Sequence, residues 1–213
     1  MSGPDVPALA VAERADLAGL LEDLTPDQWE AGSLCTGWRV RDVVAHLIGY
    51  EGMGARETLS CAVRGRFGLG RMNALVVADR AGWPTGELVA DVRRHLRPRG
   101  VTALFGGRIG LTDALIHHQD IRRALGLPRV VPAERLAVVL PFTLFAPPLG
   151  ARRRVRGLRL VATDLDFRSG DGPEVTGPAE ALVMAAAGRA DALGELTSPG
   201  ADALARRLRS GSA

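Results

Sequence analysis

Asp113 and His117 are the residues of this 213-residue chain whose types and spacing most directly suggest chemistry. They stand four apart in Leu111–Gly126, LTDALIHHQDIRRALG, a stretch without proline that stops at Gly126 and is followed by Pro128. That punctuation predicts one helix with Gly126 just past its end. Side chains four apart stack on one helical face, so this carboxylate and this imidazole can share a partner. Ala114, Ile121 and Leu125 lie on or beside that face, which is therefore expected to point inward. A carboxylate and an imidazole aimed into an apolar interior need compensation, whether a metal, a proton relay or a buried ion pair. The spacing alone leaves all three open.

Composition removes several classes of function. Every one of the 27 basic residues is arginine, the signature of GC-rich coding, and interspersed acids leave a net charge of only +3. Aromatic residues make up 4%, too few for base-stacking platforms, so no nucleic-acid partner is expected. No apolar run approaches a membrane span and the N-terminus lacks a signal pattern, which predicts a cytoplasmic protein without a membrane partner. Cys35 and Cys61 have neither metal-ligand nor redox spacing and read as reduced thiols, Cys35 as a buried, inert one.

The elements that must position Asp113 and His117 are mostly helical. Ala8–Leu24 has helical apolar spacing, with Glu13, Arg14 and Asp16 expected outward. After the connecting segment TPDQWEAGSLCTG, a second helix is expected from near Trp38 to Gly65, bent or loosened at Gly52 and Gly54. Val40, Val43, Val44, Leu47 and Ile48 form its stripe, and His46 sits at the border. Arg39 occupies the capping position, leaving Asp42 to favour the helix dipole alone. RMNALVVADRAG and PTGELVADVRRHL read as further helices, with His95 solvated at the end of the second, and Gly100–Gly110 as a loop. PAERLAVVLPFTLFA is an apolar helix interrupted or ended near Pro141. From Gly150 the texture changes. Arg154, Arg156 and Arg159 alternate with apolar residues as in a strand, SGDGPEVTG supplies a turn and a short strand, and Pro178–Leu193 and Gly200–Arg209 read as helices. The expected fold class is mainly α, with a helical bundle over 1–150 and a small α+β piece over 151–213.

Three passages, TPDQWEAGSLCTGWRVRDVVAHL, DALIHHQDIRRALG and GLRLVATDLDFRSGDGPEVTGPAEALVMAAAGRADAL, resemble the actinobacterial maleylpyruvate isomerase family of mycothiol-dependent enzymes. The resemblance spans nearly the whole chain and implies that the N-terminal part is a DinB-like four-helix bundle. It further implies a metal site on His46, Asp113 and His117, with zinc as the expected ion: two imidazoles and one carboxylate suit it and leave a position open. The chain departs from the isomerase in having the shorter Asp113 where that enzyme has Glu. His118 points about 100° away from His117 around the helix and is not expected on the same ion. The isomerase also uses an arginine of its C-terminal domain, which the Arg-rich segment here does not single out.

The resemblance implies two cofactors, a divalent metal and mycothiol. It also implies an enzyme in which the ion holds a thiolate for cis–trans isomerisation of, or S-transfer to, a small electrophilic substrate. Tyr50 and Asn73 are the candidates for holding the thiol's polar groups, with plain core packing as the alternative for each. Gln119 and Asp120 are candidate partners of the ligating histidine, against a structural ion pair of Asp120 with Arg39 or Arg41, slightly preferred. Two other functions stay in view: a metal-dependent hydrolase using bound water, and a non-catalytic, metal-stabilised module that binds a small molecule or a protein. The module would need a fourth protein ligand, for which His118, Asp120 and Glu51 are the nearby candidates. The chain is expected as a monomer or homodimer.

Overall fold

In the computed structural model, which describes residues 3–210, the chain divides into two units, Met1–Arg129 and Val130–Ala213. The first holds α1 (Val6–Glu22), the single turn α2 (Pro26–Glu30), α3 (Val40–Gly49), α4 (Ala55–Arg64), α5 (Leu69–Ala78), α6 (Thr85–Arg94) and α7 (Arg108–Ala124). α1 packs on α6 and α7, and α3 packs on α5, α6 and α7. Their apolar stripes close one core that includes Leu17, Leu21, Val43, Val44, Leu88 and Ile121. No helix among the described residues is long and apolar enough to cross a membrane.

Local chemistry explains most of the helix ends. Asp5 accepts from the Ala8 amide at 3.1 Å, and Thr25 and Gln28 exchange side-chain and backbone bonds across α2. At the start of α3, Asp42 does more than favour the dipole: it accepts from the Arg39 backbone amide at 3.0 Å and from its guanidinium at 3.0 and 3.1 Å. α7 ends as its sequence predicts. Gly126 has φ +66°, the Leu127 amide returns to Arg122 O at 2.9 Å and the Gly126 amide to Arg123 O at 3.2 Å, a Schellman closure.

Four expectations in this unit are corrected. The second helix is two helices, because the turn through Tyr50–Gly54 redirects the chain where two glycines lower helix propensity. α7 begins at Arg108, inside the stretch expected to be loop; Gly100–Gly107 is a 3₁₀ turn broken over Leu104–Gly106 (Phe105 φ +54°, Gly106 φ +65°), and Gly107 (φ +86°) caps α7. Glu13 and Arg14 point inward, not outward, and both are buried. His95, too, is packed, with Nδ1 3.0 Å from the Asp91 carbonyl.

Each of those buried charges is tied to named partners. Arg14 donates to Glu51 at 2.5 Å and to the His95 carbonyl at 2.7 Å, and Glu51 also accepts from Thr102 at 2.7 Å and from the Arg99 amide at 2.9 Å. Glu13 accepts from His118 Nδ1 at 2.8 Å and from Arg129 at 2.6 Å, while His118 Nε2 accepts from Arg122 at 2.9 Å. Burial alone would raise the Glu13 pKa; the His118 hydrogen bond and the Arg129 charge overcome it and hold it down to about 2. α3 and α5 meet at Gly49, where a Cβ would fall 1.8 Å from Val76 Cγ1.

The second unit contains α8 (Ala133–Phe145), α9 (Ala151–Val155), β1 (Arg159–Ala162), β2 (Arg168–Ser169), β3 (Glu174–Gly177), α10 (Ala179–Ala186) and α11 (Pro199–Ser210). The sheet order is β2-β1-β3, with β1 antiparallel to β2 and parallel to β3. Residues 179 and 181–186 of α10 are all buried, as expected of a helix apolar on every face. α8 runs through Pro141 without ending and packs on α9 and α10, so the boundary falls at Arg129/Val130 and not near residue 150. The Arg154–Arg156 alternation is helix and turn; Gly157, at φ +69°, separates it from the strand. The Ala-rich helix stops at Gly188 (φ +103°) and gives way to a 3₁₀ turn over Ala190–Glu195.

The Glu13 network predicts a measurable acid sensitivity. A carboxyl whose pKa is depressed on folding contributes stability above its unfolded value, lost as pH falls through the folded one. Glu13→Gln is therefore expected to cost about 3–5 kcal/mol at pH 7 by urea unfolding. The difference from wild type should shrink as pH drops from about 4.5 toward 2.

Candidate metal centre

α3 and α7 pack side by side, and their facing positions carry His46 on one helix and Asp113 and His117 on the other. The two imidazoles meet edge to face, ring centres 4.9 Å apart at 83°. Trp38 lies against His46 at 5.1 Å on one side and Tyr50 at 5.9 Å on another. Nε2 of His46 and Nε2 of His117 both face Oδ1 of Asp113, at 3.7 and 3.5 Å. The Asp113 side chain is 29% exposed, against 9% and 11% for the two histidines, so the cluster opens to solvent on the aspartate side.

Those distances bear on whether a metal fits. They are long for hydrogen bonds, yet donors sharing a tetrahedral ion at 2.0–2.2 Å stand about 3.4 Å apart. His117 has its other nitrogen, Nδ1, 2.9 Å from Asp120 Oδ2, so with the proton there its Nε2 lone pair faces the cluster. The electrostatics also favour a cation. Although burial opposes charge on both groups, the two histidines hold the Asp113 carboxyl down to about 2. Asp120, Cys35 and Asp113 together push His117 up to about 10. The donor set, its spacing and its field fit a divalent ion held by His46, Asp113 and His117.

The candidates for a fourth ligand are engaged elsewhere. Both His118 nitrogens and both Glu51 oxygens have the partners given above, and Asp120 approaches His117 from the Nδ1 side, the ring edge away from Asp113. Among the described residues, three donor side chains form this cluster, their ligand atoms within 4.8 Å of one another.

Tyr50 and Asn73 are brought together: the Tyr50 hydroxyl donates to Asn73 Oδ1 at 2.6 Å. Burial, with Cys61 and Asp113 nearby, raises the Tyr50 pKa to about 12, so it remains a donor. Two other placements differ from expectation. Asp120 is paired with His117 and not with Arg39 or Arg41, which turn to Glu30, Asp42 and backbone carbonyls. Gln119 accepts from Arg129 at 2.7 Å. Cys35 is half-buried, with Sγ 3.0 Å from Asp120 Oδ2 and 3.5 Å from His117 Nδ1. Nothing in the sequence pattern signals that contact, because a loop residue 85 positions from its partner has no periodicity to betray it.

The unit is all-helical, with an inward histidine on each of two helices and an aspartate between them, which agrees with the DinB-like fold expected from the sequence. Residues 10–100 match the family model described as the mycothiol maleylpyruvate isomerase N-terminal domain, a span that contains His46 and stops short of α7. The fold of nearly the whole chain is shared with the crystal structure of the mycothiol-dependent maleylpyruvate isomerase. The match has 15% identity and a TM-score of 0.55, covering 94% of this chain and 97% of that one. A histidine-to-alanine variant of that isomerase matches over the same shares at 16% identity and a TM-score of 0.57. No curated protein matches the chain in sequence. The sequence match to that family is confined to residues 10–100, and over the rest of the chain the likeness is one of fold.

A cation seated among these donors has a direct measure. Elemental analysis is expected to find close to one divalent ion per chain, falling at least tenfold in His46→Ala and in His117→Ala; undiminished metal in both would remove the assignment.

Proposed function

We propose that the protein is a metal- and mycothiol-dependent enzyme that isomerises a small electrophilic cis alkene, as the name of its structural relative describes for maleylpyruvate. The observation that carries this reading is the approach of two imidazole nitrogens to one oxygen of Asp113, at 3.7 and 3.5 Å, with the cluster open on the aspartate side. His46, Asp113 and His117 are the residues that would hold the ion, zinc being the best match to the donor set. When bound, the ion stabilises the thiolate form of a thiol near neutral pH and so supplies a nucleophile without a dedicated base.

The chain's own groups do the rest by position. Trp38 and Tyr50 pack against His46 and shield it from water, while the exposed side of Asp113 marks where a thiol and a substrate can reach. Tyr50 keeps its hydroxyl proton and gives it to Asn73 Oδ1, so toward a polar group of the thiol or substrate the pair offers the Tyr50 oxygen as an acceptor and the Asn73 amide N–H groups as donors. Addition of the thiol sulfur to the activated double bond leaves a single bond that can rotate. Elimination then returns the thiol and the trans alkene, so no redox partner is consumed. S-transfer is the same addition without the elimination. A metal-stabilised binding module is less well supported, since its fourth ligand would have to come from Glu51, His118 or Asp120, all of them hydrogen-bonded elsewhere.

Calorimetric titration of the zinc-loaded protein with mycothiol tests the reading. Binding is expected with release of a proton, seen as a heat that varies with the buffer's ionisation enthalpy, and both are expected to vanish in His46→Ala. Mycothiol binding that survives removal of the metal, or no binding at all, would overturn it and move the balance to the binding module. Isomerisation of maleylpyruvate, dependent on both additions, would separate isomerase from S-transferase.

A further inference from the structure

One short loop touches both histidines. In residues 31–39 the Ser33 hydroxyl donates to the Trp38 carbonyl at 2.9 Å, the Cys35 amide to Ser33 Oγ at 3.1 Å, and the Trp38 amide to the Cys35 carbonyl at 2.9 Å. The loop is fastened to α7 by the Leu34 amide, which donates to the Asp120 carbonyl at 3.2 Å. These bonds aim the Cys35 thiol at the wholly buried Asp120 carboxylate, and they lay Trp38 on His46.

Cys35, His117 and Asp120 could be mistaken for a second metal cluster, since their donor atoms also lie within 4.8 Å of one another. The separations argue otherwise. Asp120 Oδ2 is 2.9 Å from His117 Nδ1 and 3.0 Å from Cys35 Sγ, which are hydrogen-bond contacts; around Asp113 the corresponding distances are 3.5 and 3.7 Å. A carboxylate oxygen that accepts from two donors is held in direction by both, and a ring N–H that donates to it loses freedom about its own bonds.

We propose that Cys35 is a positioning residue of the metal centre, acting through Asp120 to hold His117 with its Nε2 toward His46 and Asp113. The proposal rests on the reading of His46, Asp113 and His117 as metal ligands. It assigns to the loop before α3 a function that the ligands themselves do not reveal.

The test compares Cys35→Ala, Cys35→Ser and Asp120→Asn with wild type, each first matched for helical circular dichroism. Zinc affinity by chelator competition is expected to fall about 10- to 100-fold in Asp120→Asn and about 10-fold in Cys35→Ala, with Cys35→Ser, which keeps a donor, within about threefold of wild type. In the metal-free protein, proton NMR should show a far-downfield His117 Nδ1 proton that moves upfield in Asp120→Asn and in Cys35→Ala. The cobalt-loaded protein should show no thiolate-to-cobalt charge-transfer band. Unchanged zinc affinity together with an unmoved Nδ1 resonance in Cys35→Ala would overturn the proposal, and so would a charge-transfer band, which would make Cys35 a ligand. If wild type binds no zinc, the ligand reading fails by itself; the Nδ1 resonance in Cys35→Ala then still decides whether the thiol positions the ring.

Discussion

The azimuth of α7 about its own axis is the constraint on which the site depends. Consecutive residues on a helix point about 100° apart, so His117 can face α3 only if His118 faces α1. The fold accepts both. His118 lies wholly buried against Glu13, with Arg122 and Arg129 completing its surroundings, and that network resists any turn of α7 that would carry His117 away from His46. Neutrality matters here: burial and the charges of Arg129 and Arg122 outweigh Glu13 and bring the His118 pKa down to about 4. One face of the helix thus carries a histidine that stays uncharged and is locked, while the next carries one whose neighbours draw positive charge.

Buried ionic groups add little net stability when an apolar replacement would pack as well, but they are specific, because every wrong arrangement strands a charge. Among the described residues, two such networks reach from α1, one on Glu13 and one on the Arg14–Glu51 pair. The pair on Arg14 ties α1 to the turn after α3 and to the 3₁₀ segment before α7. The helices that bear His46 and His117 are therefore referenced to a common neighbour as well as to each other.

The D-x3-H pair could be read from the sequence because helical periodicity is a local rule, and its stop signal at Gly126 is equally local. His46 could be placed only by resemblance, since its own helix leaves it at the border of the apolar stripe. Glu13 and Arg14 read as outward for a related reason: charge normally marks the solvent face, and nothing local announces a buried partner on another helix. Asp120 is legible as a candidate partner of His117 because the two lie three apart on one helix, whereas Cys35 does not stand out, since its meaning comes from a loop folding back onto that helix. In the second unit, Arg154–Arg156 mimics the two-residue period of a strand over too few residues to exclude a helical turn, and α8 reads as part of the bundle until its partner α10 is known. Periodic features were legible, and long-range pairings were not.

The contact at Gly49 sets the spacing of α3 and α5 by omission. With no side chain there, Val76 comes close enough that even one added carbon would overlap it, and α5 lies nearly flush against α3. Three residues earlier on α5, Asn73 accepts from the Tyr50 hydroxyl, so the spacing of that pair is gauged by an atom missing at the neighbouring Gly49. A methyl group at position 49 would act as a shim, levering the two helices apart and parting Tyr50 from Asn73 without altering any residue of the site itself.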